Sequence, residues 1–486
     1  MFIYKNNFYW LAVIFIIFII SFYFFFIGER IYYFSDVYAY LSYAENLYNY
    51  GYIYDITTIP STAPKTTQNG ITLVFTFLRF FTEDMVIRVK IVIVLLTINL
   101  FFIFFILYKI GEILRLDMIT LKLFVVFLVI SLSFYGYYIT PINDGFYASL
   151  FLFSIYIILR IIDEDKNDSK KYWIFLFLLT ITIPIFRLQG MIELIASIIV
   201  FTLIQKNYKK ALISFLFIPF SFVSVWIINY FLINDISGIT EISKNSIFYS
   251  YGSINNSLNK FLFEVVPEMF LSPQLDLFKY YLSPEIKLFF SISLLVFTGY
   301  VFFKSYIDRN PKMFFLILIV IGNYCVLFIF NVIIERYIFI NMPLMLLIIL
   351  YYMKNYYNRY LIFVILIYSF FNFVEILKIH NLMFKNKLVP SIEFIKENYK
   401  DYNLISSNPR GFYFYFNKPS IEDINLIDKN IMTIMIGDDN LKEKIITKFT
   451  NDKLTFNIQE LPLSWGQFGY KTYEITFINE KSQNEN

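Results

Sequence analysis

The sequence predicts an all-α polytopic membrane protein of about eleven spanning helices, followed by a small C-terminal α/β domain. Three observations predict it. Of 486 residues, 58% are hydrophobic and only 16% are charged, where a soluble chain carries about 25% charged residues. The apolar residues fall into discrete runs, many of them near the ~20 residues that cross a hydrocarbon layer. After about residue 388 the composition changes: Asp, Glu, Lys and Asn return, and no later run is long enough to span.

Composition also narrows the chemistry. The 60 Phe and 41 Tyr, with many Ile, Asn and Lys, match the codon usage of an A/T-rich genome, so single aromatic positions carry little weight. A net charge of +4 calls for no nucleic-acid partner. Cys325 is the only cysteine, which excludes a disulfide within the chain. His380 is the only histidine, which argues against a histidine-held metal or a Ser-His-Asp triad. A divalent metal, Mg or Mn, would have to be held by carboxylates, carbonyls and water.

Taken in order, the expected spans are 9–27, 86–108, 119–138, 145–162, 172–187, 190–204, 211–232, 287–306, 313–333, 337–353 and 360–377. The first run is too long for the apolar part of a signal peptide, and Gly28-Glu29-Arg30 is a poor cleavage site. Breaks are expected around 138–145 and 187–190. The stretch 37–50 has the composition of a helix, with Gly51 as its stop. Residues 71–81 are apolar but too short to span, and Arg79 stands near their end, so they read as a helix lying in the membrane interface.

With 71–81 interfacial, Lys5, Lys109/Arg115, Lys166/Lys170/Lys171, Lys206/Lys209/Lys210, Lys304/Arg309/Lys312 and Lys354/Arg359 share one side. Basic loops mark the cytoplasmic side. The N-terminus is then cytoplasmic, as in a bacterial plasma-membrane protein. The outer side receives loop 28–85, the turn at 139–145, residues 186–190, loop 233–286, Glu335-Arg336 and the tail. The expected domains are 1–380, the membrane part, and 381–486, an extracytoplasmic α/β domain. In the tail, helices are expected at 390–399 and 438–449, a helix or turn at 408–416, and strands at 402–406, 431–436, 454–458 and 470–477. The end, 481–486, reads as disordered.

Charge near hydrocarbon is kept only with a partner or a wet cavity, and four positions stand out. Asp36 lies just beyond the first span, where Ser35 or Asp36 can also cap the helix 37–50. Asp144 follows the turn formers Thr140-Pro141 and precedes Gly145, at the start of the next span. Arg187 and Arg336 are isolated arginines at the outer ends of spans. Each can reach lipid headgroups or grip a phosphate with its fork of donors. Glu335 either pairs with Arg336 or binds metal. Two carboxylates and two arginines on one face suit transfer from a lipid phosphate. Arginines neutralise the leaving phosphate, and a carboxylate takes the proton of the incoming hydroxyl.

The order of these features resembles the GT-C glycosyltransferases, which use polyprenyl- or dolichyl-phosphate sugars and include protein O-mannosyltransferases and aminoarabinose transferases. The likeness covers most of the membrane part. Ser35-Asp36-Val37-Tyr38, Ala44, Leu47 and Gly51 resemble their first outer-loop motif, and Gln68-Asn69-Gly70 their juxtamembrane segment, though without its usual prolines. Thr140-Pro141-Ile142-Asn143-Asp144 resembles their second acidic turn, Arg187 with Gly190 their Arg-x-x-Gly element, and Arg336-Tyr337 with Pro343 their Arg-Tyr…Pro element. The resemblance implies that Asp36 is the catalytic carboxylate, as base or metal ligand, and that Asp144 assists. It implies that Arg336 and Arg187 hold lipid phosphate, with Glu335 and Tyr38 at the substrate. Where the family places a second acid after the first, this chain has Val37.

The expected activity is transfer of a sugar from a polyprenyl-phosphate donor to a glycan, lipid or protein at the outer face of the bilayer. A surface-polysaccharide polymerase or ligase, or a transporter of lipid-linked glycans, is the alternative. A transporter calls for midplane charges and two related halves, and neither is evident. A non-catalytic scaffold with an outer binding domain would need Asp36 only as a cap.

Overall fold

The computed structural model describes residues 2–23, 35–53, 58–59, 69–163, 169–233, 258–267, 283–329, 339–352, 389–399 and, with short gaps, 401–478. By its internal contacts the chain divides into two compact units: 1–23, 65–71 and 90–376 form the first, and 24–64, 72–89 and 377–486 the second.

The helices of the membrane part follow the expected order. They are α1 (Phe2–Phe22), α2 (Ser35–Tyr50), α3 (Gly70–Arg79), α4 (Met85–Ile113), α5 (Met118–Ile130), α6 (Leu132–Tyr138), α7 (Asn143–Asp163), α8 (Ser169–Phe186), α9 (Ile192–Leu203), α10 (Tyr208–Ile233), α11 (Pro284–Ile307), α12 (Pro311–Ile329) and α13 (Asn341–Tyr352). Four stretches, Met85–Ile113, Asn143–Asp163, Tyr208–Leu232 and Pro284–Ile307, are long and apolar enough to cross a membrane. Six further apolar helices among the described residues run 10–17 residues. The described residues do not confirm the expected count of about eleven spans.

Breaks account for part of the difference. The stretch expected as one span, 119–138, is two helices, because Ser131 turns extended (φ −78°, ψ 109°) and its N–H is spent on the Leu128 carbonyl. The expected break at 187–190 is present: Arg187 is extended between α8 and a 3₁₀ turn at Leu188–Met191. Segment 360–377, most of loop 233–286, and Glu335 and Arg336 lie outside the described residues.

Inside the first unit, α7 packs on α8, α10 on α8 and α9, and α12 on α9, α11 and α13. Hydroxyls in these apolar helices bond back to their own backbone, as Thr97 does to Ile93, Thr180 to Leu176 and Thr298 to Leu294 (each 2.8 Å). That satisfies a polar group where no water is present. Large apolar side chains point outward along α1 (Leu11, Phe15, Phe18), α10 (Leu216, Phe220, Phe231) and α11 (Phe289, Val296, Phe303), a surface that suits lipid rather than water.

One end of the unit gathers basic side chains. Lys210 donates to the Ile161 carbonyl (2.6 Å), and Gln205 to that of Ile162 (3.0 Å). Lys312 pairs with Asp163 and reaches the Ile113 carbonyl (3.3 Å). Cations thus cover the free carbonyls at the C-terminal ends of α7 and α4. Asp144 sits at the other end of α7, about 30 Å away at helical rise.

In the second unit, α2 ends at Gly51, whose φ of +79° puts it in the left-handed region that glycine enters freely. The tail forms α14 (Val389–Asn398) and α15 (Asp439–Asn451). Its sheet has the order β2-β4-β6-β5: β2 (Asn403–Ser406), β4 (Thr433–Gly437), β6 (Lys471–Phe477) and β5 (Phe456–Leu461). β2 and β4 run parallel, and the other pairs antiparallel. Alternate residues serve opposite faces. Leu404, Ile434 and Ile436 pack with Ile395 and Trp465; Ile405 and Met435 pack with Ile445 and Phe449 of α15. The helices expected at 390–399 and 438–449 and the strands expected at 402–406, 431–436, 454–458 and 470–477 are present with bounds within three residues, while most of 408–416 and all of 481–486 lie outside the described residues. Unexpected is a short parallel pairing of β1 (Thr58–Ile59) with β3 (Ser420–Ile421).

Candidate functional site

Asp144 is carried in the first turn of α7. Its position follows from packing around the turn before it. Thr140 bonds back to the Gly136 carbonyl (2.5 Å), and the Ile142 N–H closes a tight turn on the Thr140 carbonyl (2.7 Å). Asn143 Oδ1 accepts from the Ile71 N–H (2.9 Å), and Asn99 donates to the Gly145 carbonyl (2.8 Å). Gly145 must lack a side chain, since a Cβ there would overlap the Tyr138 carbonyl oxygen.

Arg187 is held as closely. Its N–H closes on the Ile183 carbonyl (3.0 Å), and its own carbonyl accepts from the Gly190 N–H (3.2 Å). Gly190 lies so close to Ile183 that a Cβ would overlap it, and Gly70 lies likewise against the Phe186 ring. The Phe146 and Phe186 rings pack at 5.7 Å. The extended backbone at Arg187 thus turns its side chain onto Asp144. Arg187 Nη2 and Asp144 Oδ1 form an ion pair, with only 9% and 3% of the two side chains exposed.

Two tyrosines and a further carboxylate complete this centre. Tyr147 and Tyr138 are buried: Tyr147 stands one turn along α7 from Asp144, and the Tyr138 carbonyl lies against Gly145. Glu193, in the first turn of α9, is fully buried. The sequence reading passed over Glu193, Tyr138 and Tyr147. An acid inside an otherwise apolar run was the available signal for Glu193.

The other expected residues lie elsewhere. Asp36 is the second residue of α2, and its side chain is outside the described residues. Tyr38 is buried on α2. Asp36 and Tyr38 belong to the second unit, Asp144 and Arg187 to the first.

The second unit holds a charged cluster that the sequence reading also missed. Glu45 on α2 pairs with Arg88 and, through Arg79 Nε at 3.1 Å, with the end of α3. Arg88 is fully buried. Arg79 also meets Glu83 (3.1 Å) and lies over the Tyr48 ring at 4.9 Å. The available signal for this cluster was Arg79 itself, a charge at the end of a short apolar helix that calls for a partner.

Among the described residues no three His, Cys, Asp or Glu side chains stand close enough to hold a metal ion. Asp144 has Arg187 as its partner.

No protein-family model matches the chain, and comparison with curated proteins finds no match. Solved structures do match. An oligosaccharyltransferase from Archaeoglobus fulgidus, tethered with an acceptor peptide, aligns over 90% of this chain and 69% of its own at TM-score 0.47 and 10% identity. ArnT from Cupriavidus metallidurans, bound to undecaprenyl phosphate, aligns over 93% of this chain and 97% of its own at TM-score 0.52 and 8% identity. Likeness to ArnT along nearly the whole of both chains shows the architecture: this chain has the GT-C fold.

Proposed function

We propose that the protein is a membrane glycosyltransferase that moves a sugar from a polyprenyl-phosphate donor to an acceptor at the outer face of the membrane. The observation that carries this reading is the fold shared with ArnT, which was captured with undecaprenyl phosphate. The buried Asp144–Arg187 pair adds a charged centre at the end of α7 away from the basic loops. In this reading the N-terminus is cytoplasmic and the tail, 381–486, lies outside.

The chemistry needs a base for the acceptor hydroxyl and cations for the departing phosphate. Asp36 takes the first role, assisted by Asp144. Arg336 and Arg187 take the second, with Glu335 and Tyr38 beside the substrate. Arg187 already carries one carboxylate, so a phosphate that reaches it must share or replace Asp144. A divalent metal such as Mg or Mn would fall to Asp36 and Asp144. The described residues hold no three-acid cluster to secure one, and no step is assigned to it.

Membranes carrying the protein, incubated with labelled polyprenyl-phosphate sugars, should transfer label to an acceptor. Asp36→Asn should abolish that transfer with expression unchanged. Full activity in this variant removes Asp36 from the chemistry, and no transfer from any donor by the unaltered protein overturns the reading.

A further inference from the structure

Glu193 is buried in an apolar helix, and among the described residues neither of its carboxylate oxygens has a hydrogen-bond partner of ordinary geometry. The Ser154 hydroxyl lies beside it but donates to the Phe151 carbonyl (2.8 Å). The Tyr147 hydroxyl is also buried without a hydrogen-bond partner. Tyr147 and Ser154 are seven residues apart on α7, so they lie on one face of the helix, and α9, which carries Glu193 in its first turn, packs on α7.

Burying such groups unsatisfied costs several kcal/mol in hydrocarbon. An ionisable side chain kept inside a spanning segment points to function, with its partner nearby. We propose that Glu193 is a positioning residue, acting through Tyr147 on the Asp144–Arg187 pair. Tyr147 has one proton to donate, with Asp144 one turn away on α7 and Glu193 on the neighbouring α9. A hydrogen bond to Glu193, direct or through one ordered water, commits that proton. Tyr147 then does not compete with Arg187 for Asp144, and the guanidinium keeps its direction for an anionic phosphate. The role in transfer rests on the glycosyltransferase reading; the link between Glu193 and Tyr147 does not.

Two measurements on the full-length protein in detergent test the proposal separately. Thermal unfolding of Glu193→Leu, Tyr147→Phe and the double variant reads the link. The double variant's Tm loss should match the larger single loss; a loss equal to the sum of the two overturns the link, whatever the protein's activity. Kinetics with the polyprenyl-phosphate sugar that the unaltered protein uses read the role. Glu193→Leu and Tyr147→Phe should each lower kcat about tenfold or more with KM held within about twofold, and the double variant no further. Glu193→Gln, which keeps the shape and an acceptor oxygen, should retain about half of kcat or more. Unchanged kcat in Glu193→Leu, or a loss in Glu193→Gln as deep as in Glu193→Leu, overturns the positioning role. If the unaltered protein transfers no sugar, the glycosyltransferase reading and the role in transfer both fall, and the Tm comparison still decides the link.

Discussion

Asp144 and Arg187 are 43 residues apart and meet where water scarcely reaches. Breaking such a pair from one side leaves a buried charge alone, at a cost of about 3–5 kcal/mol. Asp144→Asn should therefore lower thermal stability in detergent more than the double variant Asp144→Asn/Arg187→Met, in which no charge is stranded. Equal losses in the two would mean that the pair contributes by shape alone. Both partners were legible as isolated charges at span ends, and so was their shared side. Their bonding to one another was not, because it depends on the extended backbone at Arg187 and on Gly70, Gly145 and Gly190 admitting close neighbours. Glu193 escaped notice for the opposite reason: it stands inside an apolar run, where patterning alone gives it no face.

At the scale of elements, the short helix α3 shows how a charge is accommodated near hydrocarbon. Phe77, Phe80 and Phe81 are exposed, while Phe75 and Leu78 are buried. That two-sided character suits the interfacial placement read from the sequence. Arg79 was its one awkward residue, and Glu45 takes it up together with Arg88. One carboxylate thus ties the end of α3 and the start of α4 to α2. Glu45→Gln would leave the fully buried Arg88 without its carboxylate, while Arg79 keeps Glu83, and should cost about 3–5 kcal/mol of stability. Thermal unfolding of the purified variant checks this, and a loss within about 0.5 kcal/mol, the range of ordinary surface changes, would show that the arginines find other partners. The helix stop at Gly51 was readable because glycine alone enters its φ without strain. The division at Ser131 was not, since nothing in Leu128–Leu132 breaks the apolar run except one serine.

For the whole molecule, likeness to ArnT extends over both chains at 8% identity. What persists at that distance is the fold. The tail's central strands were readable as short apolar runs between polar stretches, as in Leu404–Ile405 and Ile434–Met435–Ile436, which are buried on both faces. The pairing of β1 with β3 was not, because two residues on each side offer no period. This pairing makes the tail a structural partner of the segment that follows α2. Removing residues 389–486 should therefore expose the backbone of Thr58–Ile59, and limited proteolysis should cut there faster than in the full chain. An unchanged cutting pattern would show that β1 is held without β3.

That ladder also sets an order of events in time. Thr58 meets Ser420, so about 360 residues must be synthesised between the two strands. At ordinary rates of translation this takes on the order of 20–70 s. During that interval β1 has left the ribosome and its partner does not yet exist. The strand after α2 must wait in the half-built protein, and its backbone hydrogen bonds to β3 close only when the chain is nearly finished.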